Sequence, residues 1–448
     1  MATKDNFFVK NKSIITFLVL EVVALTAFNF GNNSAIFGIG GGVLALGAFL
    51  FAIMAKKDYK SYLILIAPVA MLLFVSILGA VNPFSQIYAK DQYVNIALAV
   101  GLPGFLILGF CLRKLGDVKA KTVLLVVGGA FALACVLGLF STLIEYGLFY
   151  SLIYKGTPNY YYNGAPYDVT KEMYWLMGFE FNEVFIEYGS LFAILPASFL
   201  VGLLFISPKK ERNEFIICAA IGAVGLLTLL VIPNLKAIII LAIASGFAFV
   251  YKFLKNYKKA QKIVGFSFLG IVALILLFFI LALINAATGF HILPRVFVKN
   301  GIMQNIVPTL KAVFTPNYDG STNLFGIVPD LLANEDALLS NTGVFEVELL
   351  KEVGLFGTLV FVGLVVYIGY LTFNYLKNSK DEGAVQSVLV VMLLAFFIYE
   401  SLCYTINVQV HGSSYAAFLK SPVTLVMLFL MGYIISDSHK KKEEVTNE

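Results

Sequence analysis

The fold turns on residues 214–254, EFIICAAIGAVGLLTLLVIPNLKAIIILAIASGFAFVYKFL, an apolar run interrupted only at Ile232-Pro233-Asn234-Leu235-Lys236. A helix needs roughly 20 apolar residues to cross about 30 Å of hydrocarbon, so this run has the length of two crossings. Proline cannot continue a helix, and asparagine favours turns. The interruption therefore reads as a tight turn joining two spans, 214–232 and 236–254. A single bent helix here would remove one crossing and carry every later loop to the other side of the membrane.

Working outward, the rest of the chain has the same character. Of 448 residues, 59% are hydrophobic and 13% charged, whereas soluble domains run near 45–50% apolar and about 25% charged. A soluble interior has no room for so much apolar surface, and a bilayer does. Apolar runs broken by charge predict about twelve helices: 13–30, 34–55, 61–81, 94–112, 122–146, 184–207, 214–232, 236–254, 263–287, 354–376, 384–406 and 419–436. The class is all-α, a single polytopic membrane domain over 1–448, with a charged cytoplasmic tail at 437–448. The first run, Ser13 to Phe30, is too long for a leader's apolar core and has no small-residue cleavage site, so it reads as a span.

Orientation comes from the basic residues. Lys4, Lys10 and Lys12 precede the first span, and Lys56, Lys57 and Lys60 follow the second. Arg113, Lys114, Lys119 and Lys121 form the next group, then Lys209, Lys210 and Arg212. Lys252, Lys255, Lys258, Lys259 and Lys262, then Lys377 and Lys380, then Lys440, Lys441 and Lys442 complete 23 of the 32 Lys and Arg. An even number of spans separates each group from the next. The positive-inside rule places them, and both termini, in the cytoplasm. The net charge of +5 thus reflects loop orientation and implies no nucleic-acid partner.

Two segments then fall outside, and both are too long and polar for turns. Gly147 to Glu183 holds Tyr160-Tyr161-Tyr162 and Tyr174-Trp175; Gly289 to Val353 holds four prolines and Glu335-Asp336. No phosphate-binding Walker loop occurs, and Gly38-Ile39-Gly40-Gly41-Gly42 sits in an apolar span as a packing feature. The three His are far apart, no metal site is spaced for, and no cofactor is implied. Cys111, Cys135, Cys218 and Cys403 read as small core residues. Charges inside spans are few, namely Glu21, Glu187, Glu400 and Lys236, fewer than proton-coupled transporters carry.

A membrane enzyme facing outward without ATP needs an activated substrate already in the bilayer. A polyprenyl-diphosphate-linked oligosaccharide is one. Its diphosphate leaving group asks for Lys or Arg, and its acceptor hydroxyl for a general base. Four stretches resemble the O-antigen ligase and O-antigen polymerase family of integral membrane glycosyltransferases. They are Ser76-Ile-Leu-Gly-Ala-Val-Asn82-Pro83 at the end of span three; Gly178-Phe-Glu180-Phe-Asn182-Glu183 with Leu191 to Pro196; Pro233-Asn234-Leu-Lys236-Ala-Ile-Ile-Ile-Leu; and Arg295 with Leu324-Phe-Gly326 and Glu352-Val-Gly354-Leu-Phe-Gly357.

The resemblance implies that Lys236 and Arg295 hold the diphosphate, and that Glu180, Asn182, Tyr174 and Trp175 line the glycan path. The chain departs from the family at two points. Lys236 stands for an Arg, and Gly343-Val344 stands where the family has His-Asn. The base is left open among Glu335, Asp336, Glu346, Glu348 and His411. Structural readings stand beside these: Lys236 and Arg295 as interfacial anchors, Glu180, Glu183 and Glu352 as helix-start carboxylates, Asn182 as an N-cap. Partners implied are the lipid-linked oligosaccharide, the bilayer and other polysaccharide-assembly proteins. The competing functions are a flippase or transporter for a lipid-linked solute, and a scaffold subunit of an envelope-assembly complex.

Overall fold

A computed structural model describes residues 59–81, 103–114, 118–146, 159–162, 165–168, 175–176, 179–180, 192–209, 211–231, 235–254, 345–378, 383–403 and 422–447, with scattered positions between 257 and 284. Predicted spans 13–30 and 34–55, and nearly all of 263–287, lie outside these residues.

The described chain is overwhelmingly helical. A 3₁₀ turn, Tyr59–Leu65, leads into α1, Ile66–Val81. Helix α2 is described over 103–114. Then come α3, Ala120–Tyr146; α4, Phe192–Gly202; α5, Arg212–Val231; α6, Leu235–Phe253; α7, Phe345–Asn378; α8, Gly383–Cys403; and α9, Pro422–Asn447. Three stretches, Ala120–Phe140, Arg212–Leu230 and Val353–Thr372, are long and apolar enough to cross a membrane. The apolar parts of α1, α4, α6, α8 and α9 are shorter.

Three features differ from the sequence reading. Helix α7 begins at Phe345, so the last residues of the predicted large loop are helical. Helix α9 runs on to Asn447, so the charged tail continues a helix. The first long loop holds two short antiparallel pairs, β1 (Asn159–Tyr162) with β2 (Ala165–Asp168), and β3 (Trp175–Leu176) with β4 (Phe179–Glu180). The all-α class therefore holds for the helical bundle and not for this loop.

Burial sorts the helices into inner and outer. Residues 386–393 of α8 are all buried, as are 423–437 of α9 and 103–112 of α2. An apolar helix buried all round is a central one, and α8 packs against α3, α4, α6, α7 and α9. By contrast, α5 leaves Ile216, Ile217, Leu227 and Leu230 exposed, and α7 leaves Phe356, Leu359, Val366 and Tyr370 exposed.

Among the described residues, glycines let two helix backbones touch. A Cβ built on Gly109 of α2 would overlap the carbonyl oxygen of Phe429 in α9. One built on Gly432 of α9 would overlap the carbonyl oxygen of Leu106 in α2. The two backbones thus touch at reciprocal sites, which only a missing side chain permits. Gly225 of α5 similarly meets Ala193 and Ala197 of α4, and Gly128 of α3 admits the Phe199 ring. Four buried hydroxyls are satisfied within their own helices: Ser198, Thr228, Thr358 and Thr372 each donate to the carbonyl four residues back, at 2.7–2.9 Å. Cys111 and Cys135 are buried free thiols and Cys218 is half-buried, in line with a packing role.

The packing fixes a common polarity. Arg113 Nε donates to Asp437 Oδ1 at 2.6 Å, tying α2 to the last residue of α9's apolar stretch. Tyr433 donates its hydroxyl to the Val118 carbonyl at 2.8 Å. Lys114 lies over the Tyr62 ring, 5.2 Å from its centre. Lys121 pairs with Glu214, joining the starts of α3 and α5. Phe205, just past α4, meets Phe249 near the end of α6. These contacts gather the start of α1, the end of α2, the start of α3, the end of α4, the start of α5, and the ends of α6 and α9 at one end of the bundle. Helices α5 and α6 therefore run in opposite directions. Met71 beside Gly363 and Leu78 beside Gly357 make α7 antiparallel to α1, which brings its end to the same place. Every basic loop described thus lies at one end, as alternate loops must.

The glycine crossing yields a sharp contrast. Gly109→Ala and Gly432→Ala should each lower stability by about 1–3 kcal/mol or more through overpacking. Gly129 has nothing within 4 Å of the position its Cβ would take, so Gly129→Ala should be neutral or stabilise by up to about 1 kcal/mol. Thermal unfolding of the purified variants in one detergent measures both, and equal effects at Gly109 and Gly129 would contradict the crossing.

Candidate functional site

The end of the bundle opposite the basic residues receives the described parts of three of the stretches singled out in the sequence. Helix α1 arrives there at Val81, α4 departs from it at Phe192, α6 begins there at Leu235, and α7 enters through Phe345–Gly354. Lys236 is the second residue of α6, one turn or less from that end.

Helix α7 is broken at Gly354, whose φ of 67° and ψ of −171° lie where only glycine is comfortable. The break separates an elbow, residues 345–353, from the apolar stretch that follows. Leu349, Leu350 and Val353 of the elbow are buried, the spacing of a single helical face. Gly357 completes the arrangement. Its missing Cβ leaves room for the Val353 side chain and for Leu78 Cδ1 of α1. The Thr358 hydroxyl donates to the Gly354 carbonyl at 2.8 Å, restoring a bond at the break. The Glu352-Val-Gly354-Leu-Phe-Gly357 stretch is thus a device for turning the chain into the bundle against the end of α1. Glu346 and Glu348 stand on the elbow's helical backbone, before the break.

Ser76, from the first singled-out stretch, is fully buried in α1, and its hydroxyl meets no partner among the described residues. Thr424, near the start of α9, is the same, and it lines a small apolar gap with Leu72, Phe361, Leu364 and Phe396. Both differ from the four hydroxyls that bond back along their own helix.

In the first long loop, Trp175 and Glu180 are register partners across β3 and β4. Tyr160, Tyr161 and Tyr162 stand on β1, opposite Tyr167, Pro166 and Ala165 of β2. The loop's two aromatic clusters thus each start a hairpin. Arg295, Glu335, Asp336, His411, Asn182 and Tyr174 lie outside the described residues. Among the described residues no group of three His, Cys, Asp or Glu is placed to hold a metal.

Sequence reasoning missed one pairing and one buried hydroxyl. Asp437 was read as the start of a solvated tail, yet it is buried against Arg113. Its only sequence signal is a lone carboxylate ahead of a run of lysines. Ser76 was read only as one residue of a longer pattern, with no sign of its burial. No family model, no curated protein and no solved structure matches the chain.

The elbow is testable directly. Gly354→Ala should cost about 1–3 kcal/mol, because the backbone conformation is closed to side chains. Thr358→Val, which removes only the hydroxyl's bond to the turned carbonyl, should cost about 1 kcal/mol. Denaturation of purified variants would show the larger loss for Gly354→Ala, and a reversed order would contradict the break.

Proposed function

We propose that this chain is a membrane glycosyltransferase that polymerises or transfers a polyprenyl-diphosphate-linked oligosaccharide at the outer face of the cytoplasmic membrane. The observation that carries the reading is positional. Lys236 opens α6 at the bundle end opposite the basic loops. The same end receives the turned Glu352–Gly357 stretch and the close of α1. The resemblance in the sequence rests on these stretches and gives Lys236 the role of holding the diphosphate.

In this reading the chain crosses the membrane about twelve times, both termini are cytoplasmic, and the basic end faces the cytoplasm. The opposite end then opens toward the outer surface, where the activated sugar is delivered on its lipid. The acceptor hydroxyl gives its proton to a general base and attacks the anomeric carbon. The bond from that carbon to the diphosphate oxygen breaks, and the polyprenyl diphosphate leaves with the electron pair. Lys236 and Arg295 hold the charge that develops on the diphosphate. The base comes from Glu335, Asp336, Glu346, Glu348 or His411. Trp175, Glu180, Tyr174 and Asn182 line the path of the glycan. A cation at a helix N-terminus opposes the macrodipole, so the helix itself gains nothing from Lys236, and a bound diphosphate would.

Two measurements test this. Cysteines introduced into a cysteine-free background at Asn82 and Asn234 should react with a membrane-impermeant thiol reagent on intact cells. Cysteines at Lys119 and Lys209 should react only after permeabilisation. The reverse pattern would remove the outer-face chemistry. Lys236→Ala and Arg295→Ala should each reduce glycosidic bond formation by on the order of a hundredfold or more, as loss of one transition-state charge contact does. The readout is polymer made from a lipid-linked donor by purified protein. Normal product from both variants would refute the assignment, and lipid-linked donor crossing liposomes without bond formation would make the protein a flippase.

A further inference from the structure

We propose that Glu346, on the bundle-facing side of the α7 elbow, is the general base that takes the acceptor's proton, and that Thr358 is the positioning residue that holds the elbow at the angle this requires. Both roles rest on the transfer reaction proposed for this chain.

Glu346 and Glu348 both stand in the first turn of the elbow. The helix dipole favours a carboxylate at either place, so helix stability does not tell them apart. The helical face does. Glu346 lies one turn before Leu349 and Leu350 and two turns before Val353, which puts all four on one side of the elbow. That side turns inward. Leu349 and Val353 are fully buried members of the bundle's apolar core, and Val353 meets Leu78 of α1 in the space that Gly357 leaves. Glu346 is therefore the outermost position of the inward face. Glu348 and Glu352, one turn apart, share another side. Helix α6, which Lys236 opens at this same end of the bundle, packs against α7.

A base must lie within hydrogen-bond reach of one proton, so the backbone that carries it has to be held. The elbow is held at three points. Val353 fills the space at Gly357, Gly354 makes the positive-φ turn, and the Thr358 hydroxyl donates to the Gly354 carbonyl at 2.8 Å. In the transfer, the acceptor's O–H proton passes to the Glu346 carboxylate as the acceptor oxygen bonds to the anomeric carbon. The bond from that carbon to the diphosphate oxygen breaks, and its electron pair leaves with the diphosphate. The carboxylic acid then returns its proton to water.

The test uses the full chain in nanodiscs with a lipid-linked donor. Glu346→Gln should lower kcat by on the order of a hundred- to ten-thousand-fold, the share a positioned base supplies, with the donor's KM little changed. Glu348→Gln should keep at least about ten times the activity of Glu346→Gln. Formate, a free carboxylate, should raise the rate of Glu346→Ala at least about tenfold, a gain that a helix-start or folding role cannot give. Thr358→Val should lower kcat about tenfold, and Thr358→Ser should recover it. Equal losses at Glu346 and Glu348, or a Glu346→Ala deficit that formate leaves untouched, overturn the assignment of the base. A Thr358→Ser variant no better than Thr358→Val overturns the positioning role. Absence of bond formation by the unmodified chain would refute the transfer reading itself.

Discussion

The contact between the backbones of α2 and α9 is the constraint on which the rest of the bundle depends. Gly109 and Gly432 each remove a side chain so that the other helix's carbonyl can approach. In lipid, helices gain nothing by hiding apolar surface from one another, so association rests on dispersion and polar bonds. A backbone-to-backbone crossing maximises the first. The Arg113–Asp437 pair, with side chains 15% and 5% exposed, supplies the second at the end of the same two helices. Removing one partner would strand a charge in a largely desolvated place, a loss of about 3–5 kcal/mol. Lys121–Glu214 is different, at 47% and 38% exposure, and contributes at most about 1 kcal/mol. It marks the neighbourhood of α3 and α5 and does not hold it.

From that crossing the polarity of the bundle follows. With α9 anchored to α2, Tyr433 reaches Val118 at the start of the α3 segment, and Lys114 reaches the Tyr62 ring before α1. Helix α8 then fills the centre. Its unbroken burial from Gln386 to Leu393 leaves no face for lipid, which pushes α5 and α7 to the outside. The outer helices carry the glycines that face inward: Gly225 of α5 lies against Ala193 and Ala197, and Gly357 of α7 against Leu78.

Much of this bundle was legible in the sequence. Helices α5 and α6 lie on either side of Pro233-Asn234, where hydropathy and proline chemistry divide the run, and among the described residues Lys114, Lys119, Lys121 and Arg212 meet at one end. Both are one-dimensional signals, of length and of charge, and the membrane reads them directly. The glycine crossing was not legible, because one glycine in each of two apolar helices carries no period until the partner is known. The α7 elbow was half legible. Glu352-Val-Gly354-Leu-Phe-Gly357 could be picked out as a pattern, but the positive φ of Gly354 and the fit of Val353 over Gly357 depend on α1. The hairpins were hidden by their loop's composition. Tyrosine clusters suit strands as well as sugar stacking, and hydropathy does not separate the two.

The candidate site divides along the same line. Its residues near helix ends, Lys236 and the Gly354 break, take their places from the packing of apolar helices, so their neighbourhood could be foreseen from topology. Its residues in the long loops have no such constraint, and hydropathy says nothing about them. The two ends of the bundle therefore differ in kind. At the basic end, charge is spent on holding helices together, with Arg113 on Asp437 and Lys121 on Glu214. At the other end, Lys236 begins a helix whose dipole repels it, and Ser76 is buried with its hydroxyl unspent. Among the described residues the two ends thus differ: ion pairs join helices at the basic end, and Ser76, toward the other, keeps a buried hydroxyl without a partner.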